Sequence, residues 1–254
     1  MSKRALLFLA LAIAVTALPS CRKRGGGDGG GGLAQAPMPE ISFAPAGSNP
    51  PVVVTLNIGL AENRPMADLT ALYQKFVTVN QSLWNVTEGQ VRIGRVRIRD
   101  NSHPGTNSQD YDNANFNDST VDVVAWQPGA FNGPGIAFVA LPQGRNGRFM
   151  GIPTNVANNT LLHELGHFIF ELSWAPGPLL VDEYALPPDD TGCIMELSYI
   201  PLRWCFTDNH LSQSTQPHSC WTQIRADYPA FSYSNVNTTL LPLPDPVVEY
   251  TDTP

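Results

Sequence analysis

Five consecutive residues near the middle of the chain have types and spacing that suit the binding of a metal ion. The sequence reads His163-Glu164-Leu165-Gly166-His167. On a helix, residues four positions apart share one face, so both imidazoles can reach a single ion. Two neutral imidazoles together with a carboxylate or a third imidazole suit Zn²⁺. The motif therefore predicts a zinc site.

Glu164 adds acid–base chemistry to this pair of histidines. Its carboxylate follows the first histidine, where a general base is needed to accept a proton from metal-bound water. Gly166 lies inside the same turn, and glycine in a helix costs about 1 kcal/mol relative to alanine. We therefore expect another segment to pack closely against Gly166. The combination indicates metal-assisted hydrolysis.

The elements that position the motif can be predicted from hydrophobic periodicity. A helix is expected over residues 160–172, with Asn158, Asn159 or Thr160 as its cap, and Pro176 and Pro178 follow its end. Upstream, a helix is expected over residues 66–84 and a long polar loop over 101–120. Strands are expected at 52–58, 91–98, 121–126 and 135–141.

The N-terminus has the pattern of an export signal. Lys3 and Arg4 precede an apolar run over residues 5–18. This run is shorter than the about 20 residues that span a bilayer. Residues 18–21 (Leu-Pro-Ser-Cys) resemble a bacterial lipoprotein processing site, at which cleavage precedes a lipidated cysteine. We expect Cys21 to anchor the protein in the cell envelope, at the outer membrane, with plain secretion as the alternative.

Composition divides the chain into a folded domain and two flanking segments. Of 254 residues, 43% are hydrophobic and 15% are charged, which is enough apolar material for one core. The expected boundaries are a signal peptide at 1–20, a Gly/Pro-rich tether at 21–49, a domain at 50–240 and a Pro-rich tail at 241–254. Oligomeric state is left open by the sequence.

The acidic charge balance disfavours nucleic acid as a partner. Loss of residues 1–20 removes two basic and no acidic residues, which changes the formal net charge from −7 to −9. Nucleic-acid phosphates are bound by clustered Lys and Arg, which an acidic chain does not favour. The polar segment with Asn113, Asn115, Asn117 and Asp118 hints at calcium, although it lacks the glycine and the distal glutamate of an EF-hand loop.

Three cysteines follow Cys21 in the sequence. They are Cys193, Cys205 and Cys220. In an oxidising compartment, this number predicts one disulfide bond with one cysteine left over. We favour the pair Cys205 and Cys220, and the sequence leaves the pairing open.

The motif and the residues after it resemble the zincin metallopeptidases. The resemblance is closer to exported proteins whose catalytic domain is similar to that of the calcium-activated chloride channel regulators, and it covers residues 51–224 in element order. That family carries His-Glu-x-x-His, then a glycine, then Asp-Glu-Tyr. This chain has Gly177 and then Asp182-Glu183-Tyr184. The resemblance implies an α+β fold with a twisted mixed sheet and an active-site helix carrying the motif.

The same resemblance implies roles for residues beyond the motif. Asp182 is the implied third metal ligand, but it follows His167 by fifteen residues rather than the family's seven, so Glu183 and His210 stay open as alternatives. Met195 is the implied methionine turn, a hydrophobic floor beneath the histidines. Tyr184 or Tyr199 is a candidate donor to an oxyanion.

The expected function is that of an exported zinc metallopeptidase acting on protein or peptide substrates. By fold analogy, the strand at 135–141 lies at the cleft edge and binds an extended peptide by strand addition. The alternative from another class is a non-catalytic zinc-binding or structural lipoprotein on the same scaffold. An intact Glu164 argues against that alternative, because a structural zinc site needs no base. Hydrolysis of a non-peptide amide, such as a cell-wall bond, is also open.

Overall fold

The computed structural model describes eleven segments of the chain. They are residues 41–43, 52–60, 62–102, 120–127, 137–140, 148–170, 172, 193–195, 203–205, 219–232 and 243–252. The helices found in these segments are too short or too polar to span a membrane. The export signal, Cys21 and the asparagine-rich calcium candidate lie outside these segments.

Seven strands form one mixed sheet, which is the kind of sheet expected from the sequence. The strands are β1 (Ile41–Phe43), β2 (Val52–Leu60), β3 (Val91–Asp100), β4 (Val123–Trp126), β5 (Phe138–Ala140), β6 (Phe149–Pro153) and β7 (Val247–Asp252). Their order is β5-β6-β4-β2-β3-β7, and β1 pairs with the start of β2. Along the run β6-β4-β2-β3-β7, every pair of adjacent strands is parallel. The strands β5 and β1 run antiparallel to theirs.

Three of these strands lie where the sequence predicted none. β6 falls between the strand expected at 135–141 and the helix expected at 160–172. β1 falls within the expected tether, and β7 falls within the expected Pro-rich tail. In β7, Glu249 forms ion pairs with Arg95 and Arg97 of β3 at 3.0 Å each. β7 was missed because it is short, half-polar and preceded by prolines. The sheet therefore extends on both sides of the predicted 50–240 domain.

Three helices of the described residues accompany the sheet: α1 (Met66–Val86), α2 (Asn158–Phe170) and α3 (Cys220–Asp227). α1 packs against β3, while α2 packs against α1, β5 and β6. A buried amide joins α1 to the sheet, because Asn80 Oδ1 accepts a hydrogen bond from the Ile93 amide at 2.6 Å. The helices and one face of the sheet enclose the main core. α2, which carries the His163 to His167 motif, is thus held beside the β5 edge of the sheet.

Candidate metal centre

The two motif histidines lie together on the buried side of α2. His163 is 3% exposed and His167 is 7% exposed. Their ring centroids are 4.6 Å apart with planes 84° from parallel. Their Nε2 atoms approach to 3.0 Å. The i, i+4 spacing of the helix therefore brings the two ring nitrogens to one point.

Backbone carbonyls orient both rings from the opposite side. His163 Nδ1 donates to the Ile194 carbonyl at 2.9 Å, and His167 Nδ1 donates to the Leu172 carbonyl at 2.6 Å. A carbonyl oxygen can only accept a hydrogen bond, so each Nδ1 carries the hydrogen. A neutral ring with its hydrogen on Nδ1 has a lone pair on Nε2, and the Nε2 atoms of the two rings face each other.

Two lone pairs at this separation repel each other unless a cation or a shared proton lies between them. Histidines that bind metals commonly donate their other ring nitrogen to a carbonyl or a carboxylate, which fixes the tautomer and the orientation of the ring. The arrangement of His163 and His167 has that form. The donor set fits a metal ion of the Zn²⁺ type.

Glu164 lies in the same buried layer as the histidines. Its side chain is 5% exposed, and every residue of α2 from Leu161 to Phe170 is buried. Acidic side chains are rarely buried to this degree unless they are paired or take part in a site. The structure therefore buries the expected base, which directly follows the first histidine in α2.

The chain closes around Gly166 from three directions, which confirms the expected close packing at this glycine. A Cβ atom added there would lie 2.9 Å from Met195 Sδ, 3.3 Å from Leu172 Cδ1 and 3.5 Å from Trp204 Nε1. The Leu172 amide also donates to the Gly166 carbonyl at 3.3 Å, which turns the chain back after α2. The absence of a side chain thus allows Met195 to lie against the helix.

The segment with Met195 also carries the carbonyl that orients His163. Ile194 accepts from His163 through its carbonyl and donates its amide to the Arg203 carbonyl at 2.7 Å. Met195 is fully buried next to it. Residues 193–195 therefore contact the motif at two points, one polar and one apolar.

We expect Gly166→Ala to weaken zinc binding at this site by about 10-fold or more, as loss of groups that orient metal ligands does. The new methyl group displaces Met195 and with it the Ile194 carbonyl. Global stability should change little, because alanine gains about 1 kcal/mol of helix propensity that offsets the crowding. Zinc titration against a competing chelator measures the effect.

The control for this prediction removes the crowding atom. Adding Met195→Ala to Gly166→Ala leaves room for the methyl group, so the affinity should recover relative to Gly166→Ala alone. Wild-type zinc affinity in Gly166→Ala would show that the packing at Gly166 does not support the site.

Three cysteine side chains, one of them from residues 193–195, lie close together. Cys193, Cys205 and Cys220 are all buried, and their sulfur atoms lie within 4.8 Å of one another. This group could hold a metal ion. The Sγ atoms of Cys205 and Cys220 are 3.5 Å apart, whereas a disulfide bond is about 2.05 Å long. The structure thus brings the expected pair together without a sulfur–sulfur bond.

Asp182, Glu183, Tyr184, Tyr199 and His210 lie outside the described residues. In contrast, the sequence did not predict that the carbonyls of Leu172 and Ile194 belong to the site. Backbone groups carry no residue-type signal, so only the folded chain could show them. The chain matches no protein-family model, no curated protein and no solved structure.

Proposed function

We propose that this protein is a zinc-dependent peptide hydrolase in which His163 and His167 bind the metal and Glu164 is the general base. One observation carries the proposal. The Nε2 atoms of the two histidines converge to 3.0 Å while both Nδ1 atoms donate to carbonyls. That arrangement directs two nitrogen atoms that can bind a cation toward one point, and a buried carboxylate belongs to the residue after the first histidine.

The residues of this chain divide the chemistry between them. When bound, zinc supplies Lewis acidity, which polarises a carbonyl group and acidifies water. His163 and His167 hold the ion, and the Ile194 and Leu172 carbonyls keep both rings in the required tautomer. A Glu164 carboxylate oxygen accepts a proton from the attacking water and returns it to the leaving amine. Burial of α2 excludes bulk water from this exchange.

The position of β5 favours a peptide as the substrate. β5 is the antiparallel strand at one end of the sheet, and α2 packs against it. Among the described residues, no strand pairs with its outer edge. An extended peptide can add to such an edge through main-chain hydrogen bonds. A bound peptide would then run beside the motif helix, which is the placement that hydrolysis of its backbone requires.

Chelation tests the proposed activity. The purified protein is incubated with a broad peptide library before and after treatment with a chelator, and products are identified by mass spectrometry. We expect cleavage that the chelator abolishes and added Zn²⁺ restores. Cleavage that persists in the metal-free protein, or no cleavage by the zinc-loaded protein, would overturn the proposal.

Asp182 is our proposed third ligand, on the basis of its resemblance to the Asp-Glu-Tyr motif. We expect Asp182→Ala to lose zinc from the histidine site, because two imidazoles alone bind Zn²⁺ more weakly than three protein ligands. Elemental analysis measures the loss, with Glu183→Ala as the matched control that retains the metal. Retention in Asp182→Ala, with loss in Glu183→Ala or His210→Ala, would reassign the ligand.

We further propose that the protein is exported and anchored to the cell envelope through lipidated Cys21. The support is the basic, apolar and Leu-Pro-Ser-Cys sequence of residues 1–21. Metabolic labelling with palmitate should mark the wild-type protein and not Cys21→Ser. Equal labelling of both proteins, or labelling of neither, would contradict lipidation at this residue.

A further inference from the structure

Three cysteine side chains from separate segments meet in the core. Cys193 precedes the Ile194 carbonyl, Cys205 follows Trp204, and Cys220 is the first residue of α3. Their exposed fractions are 0%, 0% and 3%. The Sγ atom of Cys220 lies 3.6 Å from that of Cys193 and 3.5 Å from that of Cys205. One sulfur atom is therefore in contact with both of the others.

Main-chain amides point at two of these sulfur atoms. The Cys205 amide donates to Cys193 Sγ and the Cys220 amide donates to Cys205 Sγ, both at 3.3 Å. Hydrogen bonds to a charged acceptor are stronger than those to a neutral one, so these donors favour thiolate over thiol. At Cys220, the first residue of α3, burial and the neighbouring Cys193 and Cys205 act in the opposite direction and raise the pKa of the thiol well above its usual value.

The two sulfur separations that involve Cys220, 3.6 Å and 3.5 Å, are close to those around a tetrahedral ion. A zinc ion at the usual distance of about 2.3 Å from each sulfur would subtend angles of about 100° at the ion for the two measured pairs. These angles are closer to the tetrahedral arrangement than to the trigonal planar arrangement of three thiolates around Cu⁺. Soft thiolate ligands in a tetrahedral arrangement are typical of zinc.

We propose that Cys193, Cys205 and Cys220 bind a zinc ion as three thiolates, in a site separate from the one formed by His163 and His167. Each thiol gives its proton to solvent as its sulfur atom binds the ion. Within the described residues, no further His, Cys, Asp or Glu joins the group. The fourth position therefore belongs to water or to a residue elsewhere in the chain.

The role of this ion is structural. It ties residues 193–195, 203–205 and the start of α3 together beneath α2. Ile194 and Met195, which contact His163 and Gly166, directly follow one of its ligands. The thiolate site thus fixes the segment that orients the first histidine.

Cobalt(II) is the probe for this site, because cobalt bound to thiolates absorbs in the near ultraviolet and cobalt bound to imidazoles and carboxylates does not. We expect the reduced, metal-free His163→Ala/His167→Ala protein to bind one equivalent of Co²⁺ with strong thiolate-to-cobalt bands. Zn²⁺ should displace the cobalt and abolish the bands. Adding Cys220→Ser should weaken the bands, because one thiolate is lost.

The wild-type protein provides a measurement that does not depend on how these variants fold. It should bind two equivalents of Co²⁺ and show the same bands. Absence of the bands from the cobalt-treated wild-type protein would overturn the thiolate site, even if the histidine site binds metal. Displacement of cobalt by Cu⁺ but not by Zn²⁺ would overturn the choice of zinc. Protein purified without reductant that is lighter than the reduced chain by the mass of two hydrogen atoms would instead show a disulfide bond, either Cys205–Cys220 or another pair of the three cysteines.

Discussion

Glu164→Gln is expected to lower kcat for peptide cleavage by about 10²- to 10⁴-fold, the usual contribution of a positioned general base. Glutamine has nearly the same shape as glutamate but cannot accept a proton from water at neutral pH. The protein should still fold, because the substitution keeps the shape of the side chain and removes a charge from a residue that is only 5% exposed. Zinc content should be unchanged, since Glu164 is not a ligand. Steady-state kinetics and elemental analysis on the same preparation test both expectations.

Glu249→Gln is the matched control for Glu164→Gln. Glu249 lies on β7 and pairs with Arg95 and Arg97 of β3, at the other end of the sheet from β5 and away from α2. This isosteric change should leave kcat within about 2-fold of the wild-type value, since surface ion pairs contribute little to stability. Equal activity of Glu164→Gln and wild type would contradict the assignment of Glu164 as the base.

His163→Ala and His167→Ala are each expected to abolish metal binding at the histidine site and, with it, peptide cleavage. Each substitution removes one of the two converging nitrogen donors. Loss of an orienting partner alone costs about 10- to 100-fold in metal affinity, so loss of a ligand should cost more. A ligand that binds only the folded state stabilises it by mass action. Added Zn²⁺ should therefore raise the Tm of the wild-type protein by more than that of either variant.

His103→Ala is the control for the two histidine variants, because His103 belongs to no ligand pattern in the sequence. It should keep the wild-type zinc content and the wild-type response of Tm to zinc. The proposed thiolate site keeps its own zinc in these variants, so the relevant quantity is the loss of one equivalent. Full zinc content in His163→Ala and His167→Ala would contradict binding at their Nε2 atoms.

The elements that carry the motif were predictable from sequence, whereas the groups that complete it were not. Apolar periodicity predicted helices at 66–84 and 160–172, and the structure has α1 at Met66–Val86 and α2 at Asn158–Phe170. The motif itself predicted which two imidazoles converge, because an i, i+4 pair on a helix shares one face. A local sequence pattern is sufficient to predict a feature whose residues all lie on one helix or strand.

Features that depend on contacts between distant segments escaped prediction for physical reasons. The Ile194 and Leu172 carbonyls orient the histidines as backbone groups, which every residue possesses. The convergence of Cys193 with Cys205 and Cys220 depends on how three segments pack, and cysteine number alone predicted only a disulfide. Gly166 was the exception, because a glycine within a helix indicated close packing before the partner, Met195, was known.

Anomalous diffraction at the zinc edge tests the metal centre most directly. Crystals of the protein grown with Zn²⁺ should show an anomalous peak within about 2.0 to 2.1 Å of the Nε2 atoms of both His163 and His167. The Nδ1 contacts with the Ile194 and Leu172 carbonyls should persist in the same crystals. A map without a peak at the two Nε2 atoms, or with the rings turned away from each other, would contradict the proposed metal centre.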